Sequence, residues 1–175
     1  MIDSMTWIAP APTPVDGPLV GPDRPMLEAY LNYQRTTLLS ICGGLTGGQL
    51  ATRPLPSSNL SLLGLVRHLT KVERTWFRIR AAGEAVEPVF DPALGKDHDF
   101  DELDPADAAA TFERYADERR RCDVAVAAMS FDDTFELGGE PFSLRMVYVH
   151  LIGEYARHNG HADLLREAVD GVTGR

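Results

Sequence analysis

The stretch Val147-Tyr148-Val149-His150-Leu151-Ile152-Gly153-Glu154-Tyr155-Ala156-Arg157-His158-Asn159-Gly160-His161 decides how this 175-residue chain is read. At about 100° per residue, His150, Glu154, His158 and His161 fall within roughly 80° of one helical face. Val147, Leu151 and Leu165 share that face, so it is predicted to point into a core. A carboxylate and imidazoles on a buried face need partners, and a metal ion is a partner they can share. The competing reading makes Glu154 and His158 an exposed i,i+4 pair and the other two ordinary surface histidines. The apolar residues on the same arc favour burial and a metal.

Outward from this helix, Ser143 offers an N-cap and Gly171 a stop, so the last helix is predicted to run from Ser143 to about residue 169. Before it, residues 133–142 read as a small hairpin with Gly138-Gly139 at the turn. Asp104-Pro105-Ala106-Asp107 opens a third helix over about 105–129, with Ala108, Phe112, Tyr115, Cys122, Val126 and Met129 on one face. Residues 83–104 form a long acidic loop containing Pro88, Pro92 and Gly95; such a loop is functional or disordered. A second helix is predicted over about 60–82, with an apolar arc of Leu62, Leu65, Leu69, Val72, Trp76 and Ile79. Thr46-Gly47-Gly48-Gln49 fits a capping box for a short turn. The first helix spans about 25–44, capped by Asp23 and stopped at Gly43-Gly44. The predicted fold is all-α: a four-helix bundle with a small β-hairpin before the last helix. Residues 1–24, rich in proline, are expected to be an extended arm on the surface or on a neighbouring subunit, and 25–175 a single domain.

Composition narrows the function. Seventeen basic residues stand against 26 acidic ones, a formal charge of −9. Such a chain gains nothing from counterion release, which argues against nucleic acid as a partner. No run approaches the ~20 apolar residues of a membrane span. Two cysteines, Cys42 and Cys122, and no leader-like start point to a reducing cytoplasm. Both cysteines fall on core faces and are expected to act as small hydrophobes.

His68 in the second helix closes a third metal position if that helix faces the last one. Gly64 and Thr75 lie on its side, and small neighbours there would leave room for an ion and a ligand. His68, Glu154 and His158 together leave open coordination positions, as catalytic divalent sites do. Zinc suits a tetrahedral version; nickel, iron or manganese suit a more octahedral one. His150 and His161 are candidates for the outer shell, for facing a substrate, or for alternative ligation. Arg119, on the apolar face of the third helix, is a candidate contact for a substrate anion, with snorkelling to the helix end as its competing fate. His98, in Asp97-His98-Asp99, reads as solvated. Phosphate loops, dinucleotide fingerprints, nucleophile elbows and HExxH are absent.

Leu60-Ser-Leu-Leu-Gly-Leu-Val-Arg-His68-Leu-Thr-Lys-Val-Glu73-Arg-Thr-Trp76-Phe77 resembles the second-helix signature of the DinB-like superfamily. Glu154-Tyr-Ala-Arg-His158-Asn-Gly-His161-Ala-Asp163-Leu-Leu-Arg166 resembles its last-helix signature. The resemblance implies an up-down-down-up four-helix bundle with a divalent metal on three residues. Many members use three histidines; with Glu154 in place of one, the chain is similar to mycothiol-dependent maleylpyruvate isomerases. By position the implied ligands are His68, Glu154 and His158. The additional C-terminal domain of that isomerase has no counterpart here, so its specific reaction is not carried over. The resemblance implies a transferase or isomerase whose metal activates a low-molecular-weight thiol against an electrophile. Only Lys71 and Lys96 among the basic residues are lysines, a high-GC composition that suits mycothiol as the cosubstrate. Related bundles often pair, so a homodimer is expected. Two alternatives stand beside this reading: a non-catalytic stress-response protein binding metal and a small ligand, and a zinc hydrolase.

Overall fold

A computed structural model of the chain describes residues 7–91, 93, 95 and 97–173. Pro92, assigned above to the acidic loop, and the first six residues of the arm lie outside the described residues. The molecule is mostly helical, with one two-stranded antiparallel sheet.

The first helix, α1 (Asp23–Cys42), starts two residues earlier than predicted, so Asp23 sits in its first turn rather than at its cap. The short α2 (Gly47–Ala51) carries the full capping box, Thr46 with Gln49. Helix α3 (Leu62–Glu73) is capped by Ser61, whose hydroxyl accepts from the Gly64 amide. It continues without a break into a π-helical segment, Arg74–Ala81.

That π segment is a departure from the predicted regular helix. The core face runs on through Glu73 and Phe77, both fully buried, instead of through Val72 and Trp76. Trp76 is left half-buried at the side. π-turns are uncommon and cluster at functional sites.

Asp104 caps a single 3-10 turn, Pro105–Asp107, before α4 (Ala108–Val126) begins. The hairpin forms as predicted from β1 (Thr134–Leu137) and β2 (Glu140–Ser143). Gly138 and Gly139 both take positive φ, as a two-residue turn of this kind requires. Helix α5 (Leu144–Asp170) is capped by Ser143 and ends at left-handed Gly171.

Helix α1 packs along α5, and α3 along both α4 and α5. Leu31, Leu38, Leu65, Leu69, Tyr115, Leu151 and Tyr155 meet at the centre. The arm is strapped to this core: the Ala9 amide donates to Leu45 O at 2.9 Å, and Trp7 packs edge-on against Phe112. No described helix is long and apolar enough to cross a membrane.

A buried polar network crosses the helices and was not legible in the apolar pattern. Arg35 on α1 grips Glu73 on α3 through two bonds of 2.6 and 2.5 Å. Tyr155 on α5 donates to Glu73 Oε1 at 2.7 Å, and its hydroxyl lies 2.8 Å from that of Tyr115 on α4. A buried carboxylate is tolerated because a guanidinium and a phenol satisfy it.

Candidate metal centre

Helices α3 and α5 run antiparallel here: His68 meets His158 while Trp76, two turns on, meets His150. This crossing brings His68, Glu154 and His158 together. One ligand atom from each lies within 4.8 Å of the other two. The His68 and His158 rings are 4.7 Å apart, and His158 Nε2 lies 3.5 Å from Glu154 Oε2. His158 is buried; the other two are partly open to solvent.

The residues present fit a divalent cation. Nδ1 of His68 lies 2.6 Å from Asp99 Oδ2. Donation along that bond leaves the Nε2 lone pair free, in the arrangement that orients and enriches a ligating imidazole. Lys71 Nζ sits 2.6 Å from the same oxygen. Burial pushes the Asp99 carboxyl up, but His68 and Lys71 overcome it and hold the group down at about 2. Burial, then the nearby His68, pushes His158 down to about 4, so it offers a lone pair at neutral pH. Two imidazole nitrogens and a carboxylate suit zinc and its neighbours better than calcium or magnesium.

Asp99 was missed by sequence reasoning. The acidic loop is expected from sequence to be functional or disordered; in the structure Asp99 is 1% exposed and Phe100 is also buried. Phe100 stacks on His68 at 5.2 Å. The space beside Gly64 serves that ring, not an ion or ligand: a Cβ at Gly64 would stand 2.8 Å from Phe100 Cδ1. Guanidiniums clamp the loop, with Arg67 donating to the carbonyls of His98 and Asp101, and Arg53 to that of Phe100. His98 is itself half-buried against Phe90 rather than solvated. Nothing in the local sequence separates Asp99 from Asp97 or Asp101. The apolar Phe100 among acids was the one signal that the loop folds inward.

The remaining candidates divide. His161 Nδ1 lies 3.4 Å from His158 Nδ1, against the triad. His150 packs against Trp76 with the rings tilted and their centres 4.3 Å apart, one turn before Glu154. Burial first, then Arg80 and Arg157, holds its pKa below the usual histidine value against the pull of Glu154. Arg119 donates to Asn32 Oδ1 at 3.0 Å and lies over Tyr115, so its contacts are with α1 and α4. Cys42 and Cys122 are buried free thiols; burial pushes Cys42 up to about 12 and Cys122 higher still, so neither is a nucleophile. A cavity of about 580 Å³ lies between α1 and the end of α5, lined by Tyr33, Thr36, Ser40, Asp163 and Arg166 and by no residue of the triad.

A helical protein with a His/Glu/His cluster at the crossing of two antiparallel helices is the class that fold and site define. Residues 26–171 match the family model described as mycothiol-S-transferase, and the chain belongs to that DinB-like family. The family ties it to a small-molecule thiol. Comparison with curated proteins gives no match.

Proposed function

We propose that the protein is a divalent-metal-dependent transferase that joins a low-molecular-weight thiol of the mycothiol type to an electrophile. His68, Glu154 and His158 hold the ion, zinc being the first choice for two nitrogens and one carboxylate oxygen. The carrying observation is the convergence of these donors within 4.8 Å, with His68 already oriented by Asp99. A divalent ion bound there favours the thiolate of an approaching thiol, the species that attacks electrophiles.

The chain's own residues prepare that chemistry. Asp99 keeps the His68 proton on Nδ1 and the ring aligned. Phe100 covers one face of that ring. His161 supports the orientation of His158 from the next turn of α5. The same reading treats 25–175 as one domain in an up-down-down-up four-helix arrangement, with 1–24 as an arm; the bonds between Ala9 and the Gly44–Leu45 turn support the strap.

The test is elemental analysis of purified protein beside His158→Ala, then a thiol-conjugation assay with a generic electrophile. The expected result is about one divalent ion per chain, lost in the variant, and conjugation that needs both metal and thiol. Metal without thiol dependence would turn the reading toward a binding protein or a hydrolase. No metal in either protein would sink it.

A further inference from the structure

From the geometry we infer a carboxylate-binding subsite beside the triad, formed by Arg80, Trp76 and His150, which selects flat, anionic electrophiles; as a statement about substrate class it rests on the function proposed above. Arg80 is half-buried on the π-helical segment, with its Cζ 4.2 Å from the centre of the Trp76 ring. Among the described residues it makes no ion pair or hydrogen bond. Its near neighbours differ: Arg74 pairs with Glu118, and Arg78 with both Glu84 and Glu118. A guanidinium drawn partly out of water and stacked on an aromatic face is prepared for a planar anion, which it can meet with two parallel bonds.

The surroundings specify the rest of the ligand. Trp76 is shared between Arg80 on one hand and His150 on the other, at 4.2 and 4.3 Å. Phe142 of β2 closes the apolar side at 6.2 Å. His150 precedes Glu154 by one helical turn, about 6 Å of rise. A carboxylate met by Arg80 therefore lies at the edge of the Trp76–His150 pair, and a flat body beside that edge is within about a helical turn of Glu154. The π register makes this possible, because it turns Phe77 into the core and leaves Trp76 at the side. Arg119, the anion contact expected from sequence, donates to the Asn32 amide oxygen on α1.

The test is fluorescence titration in a Trp7→Phe background, where Trp76 is the remaining indole, using benzoate and its neutral isostere benzamide. The full-length protein is titrated both metal-loaded and metal-stripped. The expected result is saturable quenching by benzoate at concentrations roughly tenfold below those needed for benzamide. Arg80→Gln should abolish that preference, and Arg80→Lys should keep part of it, with unchanged circular dichroism. Equal binding of the two probes, or an Arg80→Gln protein that still prefers benzoate, overturns the subsite. So does a preference present only in metal-loaded protein, because the anion then sits on the ion. A preference that persists in protein shown to hold no metal supports the subsite while removing the metal reading, so the two failures are separable.

Discussion

At the scale of single residues, Asp99 and His158 carry the sharpest consequences. Asp99→Asn keeps the shape but removes the charge that orients His68, so metal affinity should fall by roughly 10–100-fold, measured by chelator competition. An unchanged affinity would show that the 2.6 Å contact plays no part in holding the ion. His158 gives a pH signature in metal-free protein. Its folded pKa, about 4, lies below the ordinary histidine value. Between those values the unfolded chain takes up the proton and the folded chain does not. Stability should therefore be full above about pH 6.5 and fall as the pH drops toward 4. Thermal melts across that window check the sign, and His158→Gln should flatten the slope.

Elements, rather than residues, decide where the loop and the aromatic side chains go. Gly64 admits Phe100 against the backbone of α3, and through it the turn that delivers Asp99. Gly64→Ala puts a methyl group 2.8 Å from Phe100 Cδ1. The expected cost is about 1–3 kcal/mol in a denaturant titration, as for other overpacked positions, with weaker metal binding as the loop retreats. The helix caps were legible in the sequence because they are local: Thr46 with Gln49, Ser143 and Gly171 each act within one turn. The π segment was not legible. An apolar arc at α-helical spacing also fits Val72 and Trp76, and only packing against α4 and α5 selects Glu73 and Phe77. Helix α3 likewise begins at Leu62 behind the Ser61 cap, two residues later than predicted.

For the whole molecule, Arg35–Glu73–Tyr155 ties α1, α3 and α5 together at the centre. Glu73→Ala leaves Arg35 a buried, weakly compensated cation. A guanidinium stays protonated when a partner is removed, so it does not simply neutralise, and the half-exposed Asp123 at 2.9 Å is the carboxylate left to it. The expected loss is about 3–5 kcal/mol of stability, read as a lower denaturant midpoint. A loss within experimental error would mean that water reaches the site in solution.

The sequence by itself determined the helical segments, the hairpin turn and the phase that puts Glu154, His158 and an apolar stripe on one face. These follow from short-range periodicity and capping, which need only a few neighbouring residues. It also supplied His68 as the third member, by its register in a second helix. The tertiary structure alone decided that the donors of His68, Glu154 and His158 converge, that Asp99 reaches back to His68, and that Arg80 lies over Trp76 while Arg119 donates to Asn32. Those contacts join residues far apart in the chain. Which carboxylate or guanidinium finds a partner depends on the packing of whole helices, and no local pattern records it.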